Sequence, residues 1–241
     1  MFVAAAVCPH PPLLVPEVAS GAAAELDGLR SACDMAVGSL TDSAAEAIWV
    51  VGRAAQTRLW SGDSAGSFAG YGVDVAAGGD VAAGDGAAGG DGAGGGDGAS
   101  LPLSLTVGAW LLDRAGWTGP RAYVGVSAAD PSVPDSGQAR VALLVMADGS
   151  ARRTHRSPGP FDARAVPFDD AVEQALGVGD PAALLALDDE LASQLWVAGV
   201  PALKALARAA THWATGVAAE VQHAGAPYGI DYVVATWRPA G

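Results

Sequence analysis

The sequence predicts an α/β fold: a central, mostly parallel sheet with helices on both faces and a C-terminal antiparallel hairpin at the sheet edge. Three observations predict it. Met1–Val7 and Ala47–Val51 are apolar runs of strand length, and the stretch between them carries apolar residues at three- and four-residue spacing, which makes a strand-helix-strand unit and a parallel pair. Val141–Met146 is apolar throughout, as befits a strand buried on both faces. Val217–Gln222 and Ile230–Trp237 flank Ala224-Gly225-Ala226-Pro227-Tyr228-Gly229, most simply a hairpin.

The chain has 241 residues, 51% of them hydrophobic, enough for one substantial core, and it reads as a single domain over 1–241. Its net charge of −13 argues against nucleic acid and against an anionic membrane surface, since both need a basic face. Cys8 and Cys33 make no disulfide framework and fit a reducing cytoplasm. No apolar run reaches the roughly 18 residues of a membrane helix.

In chain order, Ser20 is placed to cap a helix bearing Leu26, Leu29, Cys33, Val37 and Leu40. Ala47–Val51 follows and ends at Gly52. Residues from about 76 to 100 collapse into Gly, Ala and Asp and read as a flexible surface insertion, because such side chains cannot offset an ordering entropy of roughly 1–2 kcal/mol per residue. Pro102 opens a helix with Leu105, Ala109 and Leu112 that Gly116 ends. Tyr123–Val126 and Val141–Met146 are further strands. Phe168–Leu176 is helical. Asp180 and Pro181 start a helix through Leu184, Leu187, Leu191 and Leu195, and Pro201 opens another with Leu203, Leu206, Ala210 and Trp213.

The stretch with chemistry in it is Cys8-Pro9-His10-Pro11-Pro12, directly after the first strand. Prolines fix φ on both sides of the histidine, so its loop cannot drift. Ligands of open α/β sheets gather at the carboxyl ends of the strands, which places His10, Gly52 and Asp148 along one edge. Cys8 and His10 are spaced to form a thiolate–imidazole pair on extended chain, although the prolines are equally well explained as rigidifiers. Arg152, Arg153, His155 and Arg156 are the one basic cluster, either a solvated loop or an anion-binding rim.

The motif Cys8-Pro9-His10-Pro11-Pro12-Leu13-Leu14, the strand to Val51, the turn Met146-Ala147-Asp148-Gly149-Ser150-Ala151 and the segment Val197-Ala198-Gly199-Val200-Pro201 together resemble the LigB superfamily. That superfamily comprises the class III extradiol ring-cleaving dioxygenases and the Memo-like proteins. The tail from Pro227 to Trp237 looks most like that of small actinobacterial members. The resemblance spans nearly the whole chain outside the Gly/Ala/Asp stretch, and the Pro-His-Pro-Pro loop is its most specific element.

In the ring-cleaving relatives the resemblance implies a mononuclear Fe(II) held by two histidines and a glutamate. His10 matches the first ligand. The position of the second reads Gly52-Arg53-Ala54-Ala55, that of the third Val197-Ala198-Gly199, and that of the acid/base histidine Ala151. The expectation is therefore a LigB-like protein that has lost oxygenase chemistry and persists as a small-ligand-binding or interaction module. Its partners would be a small aromatic or anionic ligand and a second copy or partner subunit. The alternative is a working Fe(II) extradiol dioxygenase rebuilt around His10 with His155 and Asp148. Pocket candidates are Cys8, His10, Asp148, Ser150 and His155; His10 is the metal candidate, no site for an organic cofactor is read, and no catalytic residue is assigned.

Overall fold

Apolar side chains on both faces of four strands dictate a layered structure. In the computed structural model, which describes residues 1–79 and 100–241, β1 (Phe2–Cys8), β2 (Ala47–Arg53), β6 (Arg121–Val126) and β7 (Val141–Met146) run parallel. With β3 (Arg58–Trp60), β8 (Val217–Gly225) and β9 (Tyr232–Pro239) they form a seven-stranded sheet in the order β3-β6-β2-β7-β1-β9-β8. β3 joins β6 antiparallel at one edge, and the β8–β9 hairpin joins β1 antiparallel at the other. The central sheet is mostly parallel, as the fully apolar run of β7 predicts.

Alternate residues of these strands feed two cores. On one face α1 (Pro16–Ala19), α2 (Asp27–Thr41) and α3 (Leu103–Arg114) cover Ile48, Val50, Leu144 and Met146, with Leu29, Cys33, Val37 and Leu40 of α2 all buried as their spacing predicts. On the other, α4 (Ala165–Val178), α5 (Pro181–Leu185), α6 (Asp189–Gln194) and α7 (Val200–Ala210) cover Val51, Leu143 and Val145. Gly108 of α3 lets that helix approach closely, since a Cβ there would sit 2.3 Å from Val50 Cγ1. None of the described helices is long and apolar enough to cross a membrane.

Several local expectations change. Ser20 caps nothing: its φ is 49°, its hydroxyl donates back to the Glu17 carbonyl, and a 3-10 run Ser20–Leu26 precedes α2. Asp180 does cap α5, accepting from the Ala182 and Ala183 amides, but that helix stops at Leu185. Asp188 then caps α6 through the Glu190 and Leu191 amides, so one predicted helix becomes two, because a side-chain acceptor at Asp188 competes with helix continuation. α7 ends at Ala210, and Trp213 lies in the turn beyond it, donating its indole N–H to the Phe2 carbonyl at 2.8 Å.

The hairpin strands are longer than predicted, and a bulge lies between Val221 and His223. The Gly/Ala/Asp stretch does not begin at residue 76: β5 (Ala76–Gly78) pairs with β4 (Ala65–Ser67), and Ala77 is buried against the α3 face. The backbone ladder holds β5 where its small side chains would not. The rest of the expected insertion, residues 80–99, lies outside the described residues.

Candidate functional site

The parallel order brings the ends of β1 and β7 side by side. The Ala147 amide donates to the Cys8 carbonyl at 2.9 Å, which extends the ladder one step past the end of β7. The next residues form a hub. The His10 main-chain N–H donates to Asp148 Oδ1 at 2.7 Å, and His10 Nδ1 lies 3.5 Å from the same oxygen. His10 is only 8% exposed, and Nδ1 makes no hydrogen bond among the described residues. The prolines thus present the histidine, and Asp148 pins its backbone and faces its ring.

Behind Asp148 lies a buried charge cluster. Ser150 donates through both its amide and its hydroxyl to Asp169 on α4. Arg153 Nη1 lies 3.0 Å from Asp169 Oδ2 and 2.7 Å from Asp231 Oδ1, bridging α4 to the start of β9. The Gly149 amide donates to the Asp231 carbonyl and the Asp231 amide to the Ser150 carbonyl. Residue 149 must be glycine for this approach: a Cβ would fall 2.6 Å from that of Asp231 and 3.0 Å from Asp169 Oδ1.

One guanidinium cannot neutralise two buried carboxylates. Burial, reinforced by the Asp169 charge and opposed by Arg153, pushes the Asp231 carboxyl up to about 7. Burial also raises Asp169, against its bonds from Ser150 and Arg153. Asp231 therefore titrates near neutrality, coupled to Asp169. Tyr232 is buried beside this hub; its hydroxyl is raised by burial first and then by the Asp148 charge.

Of the residues singled out in the sequence, the fold brings His10, Asp148 and Ser150 to this one edge. Cys8 is elsewhere: it is fully buried on the α2 face, where contact with Cys33 and burial raise its thiol, so it forms no thiolate pair with His10. His155 is exposed in the loop after β7 and packs against Phe161, the rings tilted by 42° with centroids 4.7 Å apart. Arg152 and Arg153 spend their guanidiniums on internal acceptors, Arg152 on the Pro160 and Gln194 carbonyls, instead of forming an anion rim. Asp169, Asp231 and Tyr232 carry no local motif, so only their meeting in space identifies them.

The geometry bears directly on an iron centre. In the segment Gly52-Arg53-Ala54-Ala55, where the resemblance would put a second histidine, Gly52 has no room for a side chain, since a Cβ there would lie 2.5 Å from Ser104 Oγ of α3. At the third-ligand segment, the Gly199 amide donates to the Asp148 carbonyl at 3.0 Å, and a Cβ there would meet Ala147 at 2.7 Å. Among the described residues no three His, Cys, Asp or Glu side chains converge as a metal site. His10 and Asp148 do not fit a two-histidine, one-carboxylate iron. The space between Val7, Asp148 and Asp231 is only about 10 Å³, room for one water at most.

A pentapeptide matching the nucleophile pattern Gly-x-Ser-x-Gly, Gly62–Gly66, offers no alternative centre. It runs from the turn after β3 into β4 and does not sit on a strand-to-helix elbow, and the hydroxyl facing Ser64 is that of Ser61, at 3.4 Å. The chain matches no protein-family model and no curated protein.

Proposed function

We propose that the chain is a LigB-like α/β protein of the cytoplasm in which the dioxygenase iron site has been dismantled and which works as a small-ligand-binding module. The observation that supports this reading most is the state of the three positions around the Pro-His-Pro-Pro loop. His10 is retained beside Asp148, whereas the segments expected to carry the other two ligands read Gly52-Arg53-Ala54-Ala55 and Val197-Ala198-Gly199, without a histidine or a carboxylate, and Gly52 and Gly199 are closed to any side chain by Ser104 and Ala147. A single imidazole beside one carboxylate does not hold Fe(II) against water and cellular ligands. The buried cluster behind it serves to fix the loop and the β9 start in place.

The reading is tested by loading purified protein anaerobically with Fe(II), removing excess metal and measuring iron. Well under one iron per chain is expected, with no further decrease in His10→Ala. Stoichiometric iron that disappears in His10→Ala would overturn the proposal and restore a ring-opening oxygenase built on His10.

A further inference from the structure

Beyond the amino ends of β1 and β7, at the opposite end of the sheet from His10, the fold leaves an open cavity of about 880 Å³. Its size is that of a small-molecule site. Its floor is apolar, and the register of β1 explains why. A bulge between Phe2 and Ala4 brings Phe2 onto the α7 face of the sheet, where it packs in one core layer with Val133, Ala209 and Trp213. Strict alternation would instead have put Phe2 with Ala4 and Ala6 on the α2 face.

Hydrogen bonds hold the walls in place. The Trp213 indole N–H donates to the Phe2 carbonyl at 2.8 Å, and Arg208 Nη1 donates to the Pro131 carbonyl at 2.6 Å. The end of α7 is thereby tied both to the start of β1 and to the loop before β7. The second bond also locates the guanidinium, which stands against the loop whose next residues, Ser132 and Val133, line the cavity. Arg208 is exposed, and its other N–H groups have no acceptor among the described residues. In a chain of net charge −13, seven of the 13 basic side chains have a carboxylate within 4.0 Å; Arg208 has none among the described residues.

The surroundings leave that charge free to act. The carbonyls of Ala207, Ala209 and Ala210 accept from the Thr211, His212 and Trp213 amides, and that of Arg208 accepts from the Thr211 hydroxyl, so the end of α7 holds no idle acceptor beside the guanidinium. The other titratable side chains on the rim, Asp135 and His212, are exposed, and Asp135 accepts from the Gly137 amide at 2.9 Å.

We propose that this cavity binds a monocarboxylate with an apolar body, its carboxylate on Arg208 and its body against Phe2, Val133 and Trp213. The inference rests on the ligand-binding reading above and gives that ligand a place and a chemical class. A guanidinium with free N–H groups matches the two oxygens of a carboxylate, and one cation beside an apolar floor suits one negative charge on a hydrocarbon. The site shares no residue with the His10 hub.

The test is calorimetric titration of the full chain at low ionic strength with octanoate, with octanol as the body without the charge and acetate as the charge without the body. Octanoate is expected to bind at one site per chain, and octanol and acetate at least about tenfold more weakly, each lacking one half of the recognition. Arg208→Gln weakens octanoate about tenfold, the loss of one charge-assisted contact, and leaves octanol unchanged. Ala214→Glu, which places a carboxylate on the wall of the cavity, weakens octanoate as well. Both positions are exposed, and thermal melts verify that the variants fold. Arg156→Gln, which removes the same charge from the loop after β7 at the other end of the sheet, binds like the parent. No saturable octanoate binding, octanol binding as tightly as octanoate, or an equal loss in Arg156→Gln overturns the inference. Iron measured in the same preparations keeps the two proposals separable: iron at His10 with intact octanoate binding sinks only the earlier reading, and absence of both sinks only this one.

Discussion

His10 and Asp148 are 138 residues apart, yet one carboxylate oxygen of Asp148 lies 2.7 Å from the His10 amide nitrogen and 3.5 Å from its Nδ1. Nothing in the local sequence of either residue requires the contact. It exists because β1 and β7 are parallel neighbours in register from Ala4 to Cys8, which carries the residues following each strand to the same height. The relationship makes Asp148 the clamp of the proline loop.

Replacing Asp148 by alanine orphans a mostly buried amide at His10 and is expected to cost about 1–3 kcal/mol of stability. Asp148→Asn keeps an oxygen acceptor at the same place and should retain most of it. Urea unfolding of the two variants beside the parent measures the difference; an Asp148→Ala protein as stable as the parent would show that the clamp is idle.

The Arg153–Asp169–Asp231 cluster makes stability depend on pH. Asp231 is protonated in the folded chain up to about pH 7, whereas in the unfolded chain it ionises near its ordinary value of about 4. Between those values the folded state binds the extra proton, so stability falls as pH rises, by at most about 1.4 kcal/mol per pH unit. Asp231→Asn removes the titrating group and flattens this slope, gaining on the parent at pH 8 relative to pH 5. Parallel urea midpoints across that range decide it, and an unchanged slope in the variant would place the proton elsewhere.

Gly52 is closed to a side chain by α3. Gly52→Ala drives a methyl to 2.5 Å from Ser104 Oγ and 2.9 Å from Ser104 Cβ, an overpacking expected to cost about 1–3 kcal/mol. Gly38→Ala in α2, where nothing lies within 4 Å, is the matching control and should gain about 0.5–1 kcal/mol through helix propensity. Thermal melts that rank Gly52→Ala at or above Gly38→Ala would contradict the packing at Ser104.

The sequence was most legible where structure is local. The apolar runs of β1, β2, β6 and β7 and the three- and four-residue spacing of α2 announce themselves because each reports only which face of one element is buried. Caps were read unevenly. Asp180 before Pro181 is the expected start of a helix, but Asp188, lying in a continuous leucine pattern, looks like an interior residue until its carboxylate is seen to accept from two amides. β3, β4 and β5 were missed since each is three residues long and is specified by its ladder to another strand, not by its own side chains.

By itself the sequence determined the α/β class, the faces that are buried and the rigidity of the Pro9–Pro12 loop, all consequences of periodicity and of fixed φ angles along the chain. Only the tertiary structure decided what meets what. It turned His10 onto Asp148, spent Arg153 on two buried aspartates and filled the space at Gly52 with α3. The physical reason is strand order. Apart from the β8–β9 hairpin, neighbours in this sheet are not neighbours in sequence, so what meets at the carboxyl ends of the parallel strands follows from long-range pairing that no local pattern encodes.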